Sequence, residues 1–229
     1  MIEGSTLVKP PQDRHGKGLS MVHHSSGKPW GFGCDGVYVK TQYNYNCRPA
    51  SRLWRSTPTF ACELDALLAC EELGLNTPRV LSYRDEDGVT ELVLQDISNA
   101  LTMPYYWAQS CNGRVERVLE KLGRMVGKLH RAGWVHGSIA GGHVLIQPQE
   151  NDRVWLIDFE KAKHAFSERQ MKRDLMRFLR RSPYLRPLEV DCLITGYRSV
   201  RNTRYLDEMA ERFAAERAAR LRSSPLLKI

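Results

Sequence analysis

The sequence predicts an α+β protein in which a small β-rich part precedes a larger helical part. Strand-forming sequence lies before residue 97, whereas the longest amphipathic pattern, residues 114–132, and Arg-rich helical sequence follow it. The chain has 229 residues, of which 42% are hydrophobic, so it can bury a sizeable core. We therefore predict a flexible arm at residues 1–18, a β-rich lobe at 19–97 and a helical lobe at 98–229.

Three strand candidates and one helix make up the predicted β-rich lobe. Residues 36–45, GVYVKTQYNY, are rich in β-branched and aromatic side chains. The segments RVLSY at 79–83 and TELVLQDI at 90–97 flank the turn-forming sequence RDEDG. Between the first two strands, the pattern predicts a helix with Thr57 as its N-cap and Gly74 as its stop signal.

In the predicted helical lobe, residues 114–132 carry apolar side chains at i, i+3, i+4 and i+7, and Gly133 follows them. This pattern is typical of an amphipathic helix with a defined end. The segments HVLIQ at 143–147 and VWLID at 154–158 predict a small hairpin, because the polar turn PQEND separates them.

Positive charge is concentrated at the end of the chain. The formal net charge is +8, and residues 168–229 contain 15 Lys or Arg against 8 Asp or Glu. Such a region either attracts phosphorylated ligands, anionic lipid headgroups or nucleic acid, or only solvates helix faces. Residues 204–222 predict a weakly amphipathic basic helix, whose apolar strip either packs on the helical lobe or contacts a membrane surface. No base-reading motif accompanies the charge, which disfavours nucleic-acid binding.

Cysteine usage and hydropathy predict a cytoplasmic protein. The six cysteines form no C-x-x-C pair, which favours reduced and mostly buried thiols over a zinc site or a disulfide framework. No run approaches the roughly 18 apolar residues that span a bilayer. The first residues also lack the apolar stretch of a secretory signal.

The segment WVHGSIAGGHVLI, residues 134–146, is similar to the catalytic loop of kinases, in which H-x-D-x-x-x-x-N precedes an apolar strand. In that loop the aspartate accepts the proton of the substrate hydroxyl and the asparagine holds a metal. Here His136 opens the motif, Ser138 stands at the place of the aspartate and His143 at the place of the asparagine. We therefore take His136 and Ser138 as candidate catalytic residues. The central carboxylate is therefore missing.

Three other charged residues complete a pattern suited to phosphate and metal binding. Lys40 lies near the end of an alternating strand, and Glu63 flanks the apolar stripe of the next helix. A partly buried carboxylate needs a cation, so we predict a Lys40–Glu63 ion pair. Asp158 ends an apolar strand, where a carboxylate can hold a hard cation. Each signal is weak alone, but their order along the chain favours a kinase.

Four segments carry a resemblance to a known family: YVK, CELDALLACEELGLNTPRVL, LHRAGWVHGSIAGGHVLI and VWLIDFEKAKHAF. Over roughly residues 30–185 the chain resembles the lipopolysaccharide kinase family of Gram-negative bacteria, the Kdo/WaaP-like group that includes InaA-like proteins. The resemblance implies a protein-kinase-like bilobal fold. It also implies transfer of the γ-phosphoryl group of ATP, with Mg²⁺, to a sugar of the lipopolysaccharide inner core.

Residue by residue, the resemblance implies that Lys40 binds phosphate, that Glu63 orients it and that Asp158 holds metal. Heptose kinases of this family are similar in having histidine at the place of His143, which makes it a second metal-site candidate. The InaA-like branch is similar in lacking the aspartate that Ser138 replaces. Partners implied are ATP, a core oligosaccharide or other phosphorylated glycan, and peripheral contact with anionic inner-membrane lipid.

The missing aspartate leaves two hypotheses open: an atypical, slow sugar kinase, or a pseudokinase that binds nucleotide or serves a structural role. Positioning and charge neutralisation dominate phosphoryl transfer, and a general base contributes about 10²- to 10⁴-fold. Loss of the base would therefore slow a kinase without abolishing it. Glu160, close to Asp158, and His143 are the candidate replacement bases.

Two further expectations concern nucleotide contacts. The segment VLQDI, which contains Asp96, should connect the two lobes and offer backbone groups to adenine. Gly31, Gly33 and Gly36 have the spacing G-x-G-x-x-G but lie close to Lys40, so they are interpreted as a turn into the lysine strand. A loop that covers phosphates is expected earlier, near residues 16–27.

Overall fold

The protein is described from a computed structural model, which covers residues 20–26, 36–48, 53 and 55–223. The predicted arm at residues 1–18 lies outside the described residues. The strands are β1 (Ser20–Ser26), β2 (Gly36–Tyr43), β3 (Asn46–Cys47), β4 (Thr57–Pro58), β5 (Val80–Glu86), β6 (Val89–Gln95), β7 (Leu101–Thr102), β8 (Trp134–Val135), β9 (Val144–Gln147), β10 (Arg153–Leu156) and β11 (Lys163–His164). The helices are α1 (Thr59–Glu72), α2 (Met103–Gln109), α3 (Asn112–Arg131), α4 (Glu168–Arg180), α5 (Pro187–Arg198) and α6 (Tyr205–Ser223).

The chain divides into two compact units. Unit 1 comprises Met1–Asp65 and Arg79–Ser98, and unit 2 comprises Ala66–Pro78 and Asn99–Ile229. The division falls inside α1, so the first half of that helix belongs to unit 1 and the second half to unit 2.

Unit 1 is built on a four-stranded antiparallel sheet with the order β1-β2-β6-β5. The hairpin between β5 and β6 turns on Asp87 and Gly88 alone, which have φ angles of 51° and 76°. Two successive residues of positive φ are typical of a tight type I′ turn, and Asp-Gly is a favoured pair for it. The strands therefore extend further into the segment RDEDG than the sequence predicts.

The start of α1 differs from the prediction. Thr57 is not the N-cap, because Thr57 and Pro58 form β4 and pair with Asn46 and Cys47 of β3. The helix begins at Thr59, whose backbone N–H and side-chain hydroxyl both donate to the carbonyl oxygen of Tyr45, each at 3.1 Å. This pairing moves the helix start to the end of the small two-stranded ribbon.

In unit 2, the backbones of α3 and α5 approach each other closely at two glycines. A Cβ atom added at Gly123 of α3 would lie 2.0 Å from the carbonyl oxygen of Leu193. A Cβ atom at Gly196 of α5 would lie 2.0 Å from the carbonyl oxygen of Glu120. Only glycine permits so close an approach of two backbones. The apolar face of α3 is also buried: Val115, Val118, Leu119, Leu122, Val126 and Leu129.

The strands of unit 2 are short and carry the loops of interest. β9 and β10 form the predicted antiparallel hairpin, and β7 adds a third strand beside β9. β8 and β11 pair separately, with Trp134 opposite His164. The segments that precede β9 and follow β10 are therefore held close to one another.

The apolar strip of α6 is buried in unit 2. Leu206 and Met209 are fully buried and Phe213 is 7% exposed. This outcome matches packing of the strip, and it leaves the apolar side chains unable to enter a membrane surface. Among the helices that the structure describes, none has the length and apolar character that crossing a bilayer requires.

Candidate active site

Lys40 and Glu63 form a buried ion pair in unit 1. The Lys40 Nζ atom lies 2.8 Å from Glu63 Oε1 and 2.6 Å from Glu63 Oε2. Glu63 is fully buried and Lys40 is 8% exposed. The lysine also lies over the ring of Phe60, 5.0 Å from its centroid. β2 thus supplies the lysine and α1 the carboxylate, and the pair holds the ammonium in one place.

Asp96 follows β6 at the edge of the same unit. Its backbone N–H donates to the carbonyl oxygen of Gly36 at 3.0 Å, and its Oδ2 atom lies 3.5 Å from His24 Nε2. Its contact with adenine stays a prediction.

The segment expected to cover the phosphates, near residues 16–27, can be compared with the structure over residues 20–26. Residues 20–26 form β1, which pairs along its whole length with β2, so the loop expected near residues 16–27 was wrong over these residues. Ser26 pairs with Gly36, and an antiparallel partner of this length requires extended backbone. Gly31 and Gly33 lie outside the described residues.

The loop at residues 136–138 in unit 2 is held by Asp174 of α4. The backbone N–H groups of His136 and Gly137 donate to Asp174 Oδ2 and Oδ1, each at 2.9 Å. Behind this carboxylate, His130 Nε2 lies 3.3 Å from Asp174 Oδ2 and His130 Nδ1 lies 3.0 Å from the Tyr197 hydroxyl. Asp174 was not predicted as a site residue. The sequence offers one indication of its role, since Asp174 is a single carboxylate on the apolar face of the helix.

Arg177 of α4 and Arg181, the residue that follows α4, bind carbonyl oxygens of the same loop. Arg177 donates to the Gly137 carbonyl oxygen, and Arg181 Nη1 donates to the Ser138 carbonyl oxygen at 3.1 Å. Side chains of α4 and of Arg181 therefore form hydrogen bonds with backbone N–H and C=O groups of the three residues 136–138. None of these contacts to the loop backbone involves the Ser138 side chain.

Asp174→Asn is expected to lower the free energy of unfolding by at least about 2 kcal/mol. The NH₂ group of asparagine cannot accept a hydrogen bond, so one of the two buried N–H groups, of His136 or of Gly137, would lose its acceptor. Burial by itself raises the pKa of Asp174, but hydrogen bonds and positive charge from His130 and the loop lower it overall. This stabilisation is therefore present above the unfolded carboxyl pKa of about 3.9 and is lost as pH falls through the lower folded value. Urea unfolding at neutral and acidic pH measures it.

The difference between wild type and Asp174→Asn should shrink below about pH 4. Asp207→Asn is the matched control, because Asp207 pairs with Arg198 on the exposed surface and should contribute little. A difference that is constant from pH 7 to pH 3, or an equal loss in the control, would contradict the assigned role of Asp174.

Gly137 occupies a position that no side chain can share. Its φ is 78°, and an added Cβ would lie 2.0 Å from the carbonyl oxygen of Lys161. We expect Gly137→Ala to cost more than about 2 kcal/mol, since a left-handed backbone and a backbone clash add together. Gly142→Ala is the control in the same loop, because nothing lies within 4 Å of a Cβ added there. Thermal unfolding of both variants tests this, and equal midpoints would contradict it.

His136 links the loop to the segment after β10. Its ring is fully buried, its Nε2 atom lies 2.9 Å from the Ile157 carbonyl oxygen and its Nδ1 atom lies 3.4 Å from Ser138 Oγ. Burial lowers the pKa of this histidine. The ring also packs against Phe159, with centroids 4.5 Å apart. These contacts position neighbours, and a direct catalytic role for His136 stays a prediction.

Ser138 is 6% exposed, and its hydroxyl lies 3.5 Å from the Asp158 carbonyl oxygen. The missing carboxylate is therefore replaced by a side chain that joins two loop segments. Glu160, the candidate replacement base, is half-buried in a single 3-10 turn at Phe159–Lys161. In the described part of the chain, the hydroxyl of Ser138 contacts the His136 ring and the Asp158 carbonyl oxygen and not the Glu160 carboxylate.

Asp158 and His143 lie side by side in unit 2. Asp158 adopts φ 65° and ψ 63°, its side chain is 37% exposed, and its Oδ2 atom lies 3.4 Å from His143 Nε2. The His143 and His136 rings stack with centroids 5.9 Å apart. His143 Nδ1 is buried and has no hydrogen-bond partner among the described residues.

The donor set around Asp158 suits magnesium better than a softer metal. No cluster of three or more His, Cys, Asp or Glu side chains is present within residues 20–26, 36–48, 53 and 55–223. Mg²⁺ needs few protein ligands, because one or two carboxylates with phosphate and water oxygens complete its shell. The Asp158 carboxylate fits that requirement, whereas the imidazole of His143 is a ligand that Mg²⁺ favours less.

Comparison with solved structures identifies the fold of the chain. The chain is similar to the crystal structure of an aminoglycoside-3'-phosphotransferase of type VIII, with a TM-score of 0.57 and 16% sequence identity over 90% of this chain and 92% of that chain. The predicted α+β fold of protein-kinase type is thereby confirmed, with a small β-rich lobe and a helical lobe.

Residues 11–197 match the lipopolysaccharide kinase (Kdo/WaaP) family, and the chain belongs to that family. It is 28% identical over 180 residues to a 3-deoxy-D-manno-octulosonic acid kinase of Vibrio vulnificus (strain YJ016), covering 73% of this chain and 71% of the relative. It is 26% identical over 184 residues to the kinase of the same name from Pasteurella multocida (strain Pm70), covering 77% and 70%. The resemblance seen in the sequence is therefore confirmed.

Proposed function

We propose that this chain is an ATP-dependent kinase that phosphorylates a sugar of the lipopolysaccharide inner core, with 3-deoxy-D-manno-octulosonic acid as the acceptor class. The buried Lys40–Glu63 ion pair carries the proposal. Such a pair is a poor source of stability, because the cost of desolvating both charges offsets much of their attraction. A lysine held rigidly by a buried carboxylate is instead suited to meet phosphate oxygens without further rearrangement.

Each of these residues would have a separate part in the chemistry. Lys40 would neutralise phosphate charge, and Asp158 would hold Mg²⁺, which when bound neutralises charge on the transferring phosphoryl group. Asp174 and Arg181 would keep the loop at residues 136–138 in position for the acceptor hydroxyl. Proton acceptance would fall to Glu160 or His143, since the hydroxyl of Ser138 is a weak base.

A pseudokinase is the second candidate, and one observation favours it. Ser138 stands where the resemblance places the catalytic aspartate, and its hydroxyl lies near the Asp158 carbonyl oxygen and the His136 ring. A chain of this kind would bind nucleotide and metal through Lys40 and Asp158 but transfer no phosphate. Both candidates therefore predict binding of nucleotide and metal, but only the kinase predicts phosphoryl transfer.

The test is transfer of labelled γ-phosphate from ATP to purified inner-core oligosaccharide that carries 3-deoxy-D-manno-octulosonic acid, with ATP binding measured in parallel. The kinase predicts Mg²⁺-dependent transfer that Lys40→Ala and Asp158→Ala reduce together with nucleotide binding. Arg84→Ala is the control, because Arg84 lies on the exposed surface of unit 1. ATP binding without transfer would favour the pseudokinase, and absence of both would refute each candidate.

We further propose that the chain acts in the cytoplasm and contacts anionic inner-membrane lipid peripherally. The apolar strip of α6 is buried, so such contact would depend on the positive charge of residues 168–229. Binding to vesicles with anionic headgroups should then weaken as salt approaches 0.15 M, where the screening length is about 8 Å. Neutral vesicles are the control. Salt-independent binding, or equal binding to both vesicles, would contradict the proposal.

A further inference from the structure

Two cysteine sulfurs meet at the start of α1 in unit 1. The Sγ atoms of Cys47 and Cys62 lie 3.4 Å apart, about 1.4 Å more than the length of a disulfide bond. The backbone fixes this approach, because β3 pairs Cys47 with Thr57 and the chain then enters α1 at Thr59. A small movement of either side chain would bring the sulfurs to bonding distance.

The two thiols differ in their exposure to solvent, which suits a pair in which one thiol reacts first and the second resolves the product. Cys47 is half-buried, whereas Cys62 is 8% exposed. A reagent would therefore reach Cys47 first, and Cys62 is the thiol placed to complete the reaction. Cys70 lies in the same helix but is fully buried, and burial raises the pKa of its thiol to about 12. Cys111 is exposed, but no second cysteine sulfur contacts it in the described part of the chain.

We propose that Cys47 and Cys62 form a site of reversible disulfide modification, with a small disulfide such as glutathione disulfide as the oxidant. The Cys47 thiolate attacks one sulfur of glutathione disulfide, whose S–S bond breaks, and one glutathione thiolate leaves. The Cys62 thiolate then attacks the Cys47 sulfur of the mixed disulfide, and the second glutathione thiolate leaves. The cysteine pair loses two electrons and two protons, and the oxidant is reduced to two glutathione thiols.

The cross-link would act on the helix that carries Glu63. Cys62 precedes Glu63 in the first turns of α1, and the bond would close a loop between cysteines 15 positions apart. In the reduced chain, hydrogen bonds from Thr59 to the Tyr45 carbonyl oxygen attach the helix start to the preceding segment. The covalent bond would add a permanent attachment and restrict opening of the first helical turns.

The experiment uses the full chain, reduced and then equilibrated in glutathione buffers of rising oxidised fraction, with remaining thiols alkylated before mass spectrometry. We expect a form with two fewer alkylated thiols, a Cys47–Cys62 linkage in the peptide map, and reversal by dithiothreitol. Trypsin leaves Cys62 and Cys70 in one peptide, because no Lys or Arg lies between them. The map therefore needs a second protease that cleaves after glutamate.

Four serine variants identify the partners. Cys47→Ser and Cys62→Ser should each abolish the cross-link, whereas Cys111→Ser and Cys34→Ser should leave it in place; Cys34 lies outside the described residues. Hydrogen exchange at residues 59–66 should slow on oxidation of wild type and stay unchanged in Cys47→Ser.

The proposal is overturned by any of three results: a stable mixed disulfide on Cys47 with no cross-link, a dominant linkage that involves another cysteine, or exchange at residues 59–66 that oxidation does not change. None of these measurements depends on kinase activity, so the modification site and the proposed function can fail separately.

Discussion

Lys40→Met is expected to lower the free energy of unfolding by about 3–5 kcal/mol, because the fully buried Glu63 carboxylate loses the ammonium that compensates its charge. Glu63→Leu should cost a similar amount for the reciprocal reason. The double variant Lys40→Met with Glu63→Leu should recover most of the loss, since apolar side chains of similar volume often replace a buried ion pair at little cost. Chemical denaturation of the four proteins measures the effect.

Nucleotide binding separates the two roles of this ion pair. The double variant should be folded and stable yet bind ATP with Mg²⁺ far more weakly than wild type, because it lacks the positive charge for the phosphates. The exposed Arg84–Glu86 pair is the matched control, and removing it should change neither property appreciably. A double variant that binds ATP as well as wild type does would refute the proposed role of Lys40.

Ser138→Asp should raise phosphoryl transfer by about 10-fold or more, within the range that a general base supplies. The new carboxylate would stand where the resemblance places the catalytic aspartate, in a loop that Asp174 and Arg181 already hold in place. Transfer of γ-phosphate to inner-core oligosaccharide at saturating ATP measures the effect. Ser138→Asn, which has a similar volume but no basic carboxylate, is the matched control.

Three outcomes of that experiment lead to different conclusions. A gain with aspartate and none with asparagine supports a competent site that lacks only its base. No gain with aspartate, together with loss of most activity in Glu160→Gln, would assign proton acceptance to Glu160. No transfer by wild type or Ser138→Asp, although both bind ATP with Mg²⁺, would contradict the kinase and favour the pseudokinase.

Local patterns predicted the parts of this structure that depend on neighbours along the chain. The apolar spacing of residues 114–132 predicted α3 within two residues at its N-terminus, because one buried helix face imposes that spacing. The Lys40–Glu63 pair was predicted because a carboxylate at the edge of an apolar helix face requires a cation. In both examples the burial of a face can be inferred without knowledge of the partner surface.

Features that depend on distant partners were not predicted. Asp174 binds backbone N–H groups of residues 37 and 38 positions earlier, and backbone donors have no sequence signature. Thr57 is not the N-cap of α1 because Thr57 and Pro58 pair with Asn46 and Cys47, and this pairing overrides the local capping preference. The contact between Cys47 and Cys62 arises from that same pairing, and their spacing matches no known cysteine motif.

The glycine contact between α3 and α5 limits how unit 2 can move. Shear between packed helices normally proceeds by small changes of side-chain rotamers at the interface. Gly123 and Gly196 bring carbonyl oxygens of the opposite helix to where a Cβ atom would be, so there are no rotamers at these points to adjust. The two helices should therefore move together as one rigid element as long as the chain remains folded. Any ligand-driven rearrangement in unit 2 must then take place in its loops and in its other helices.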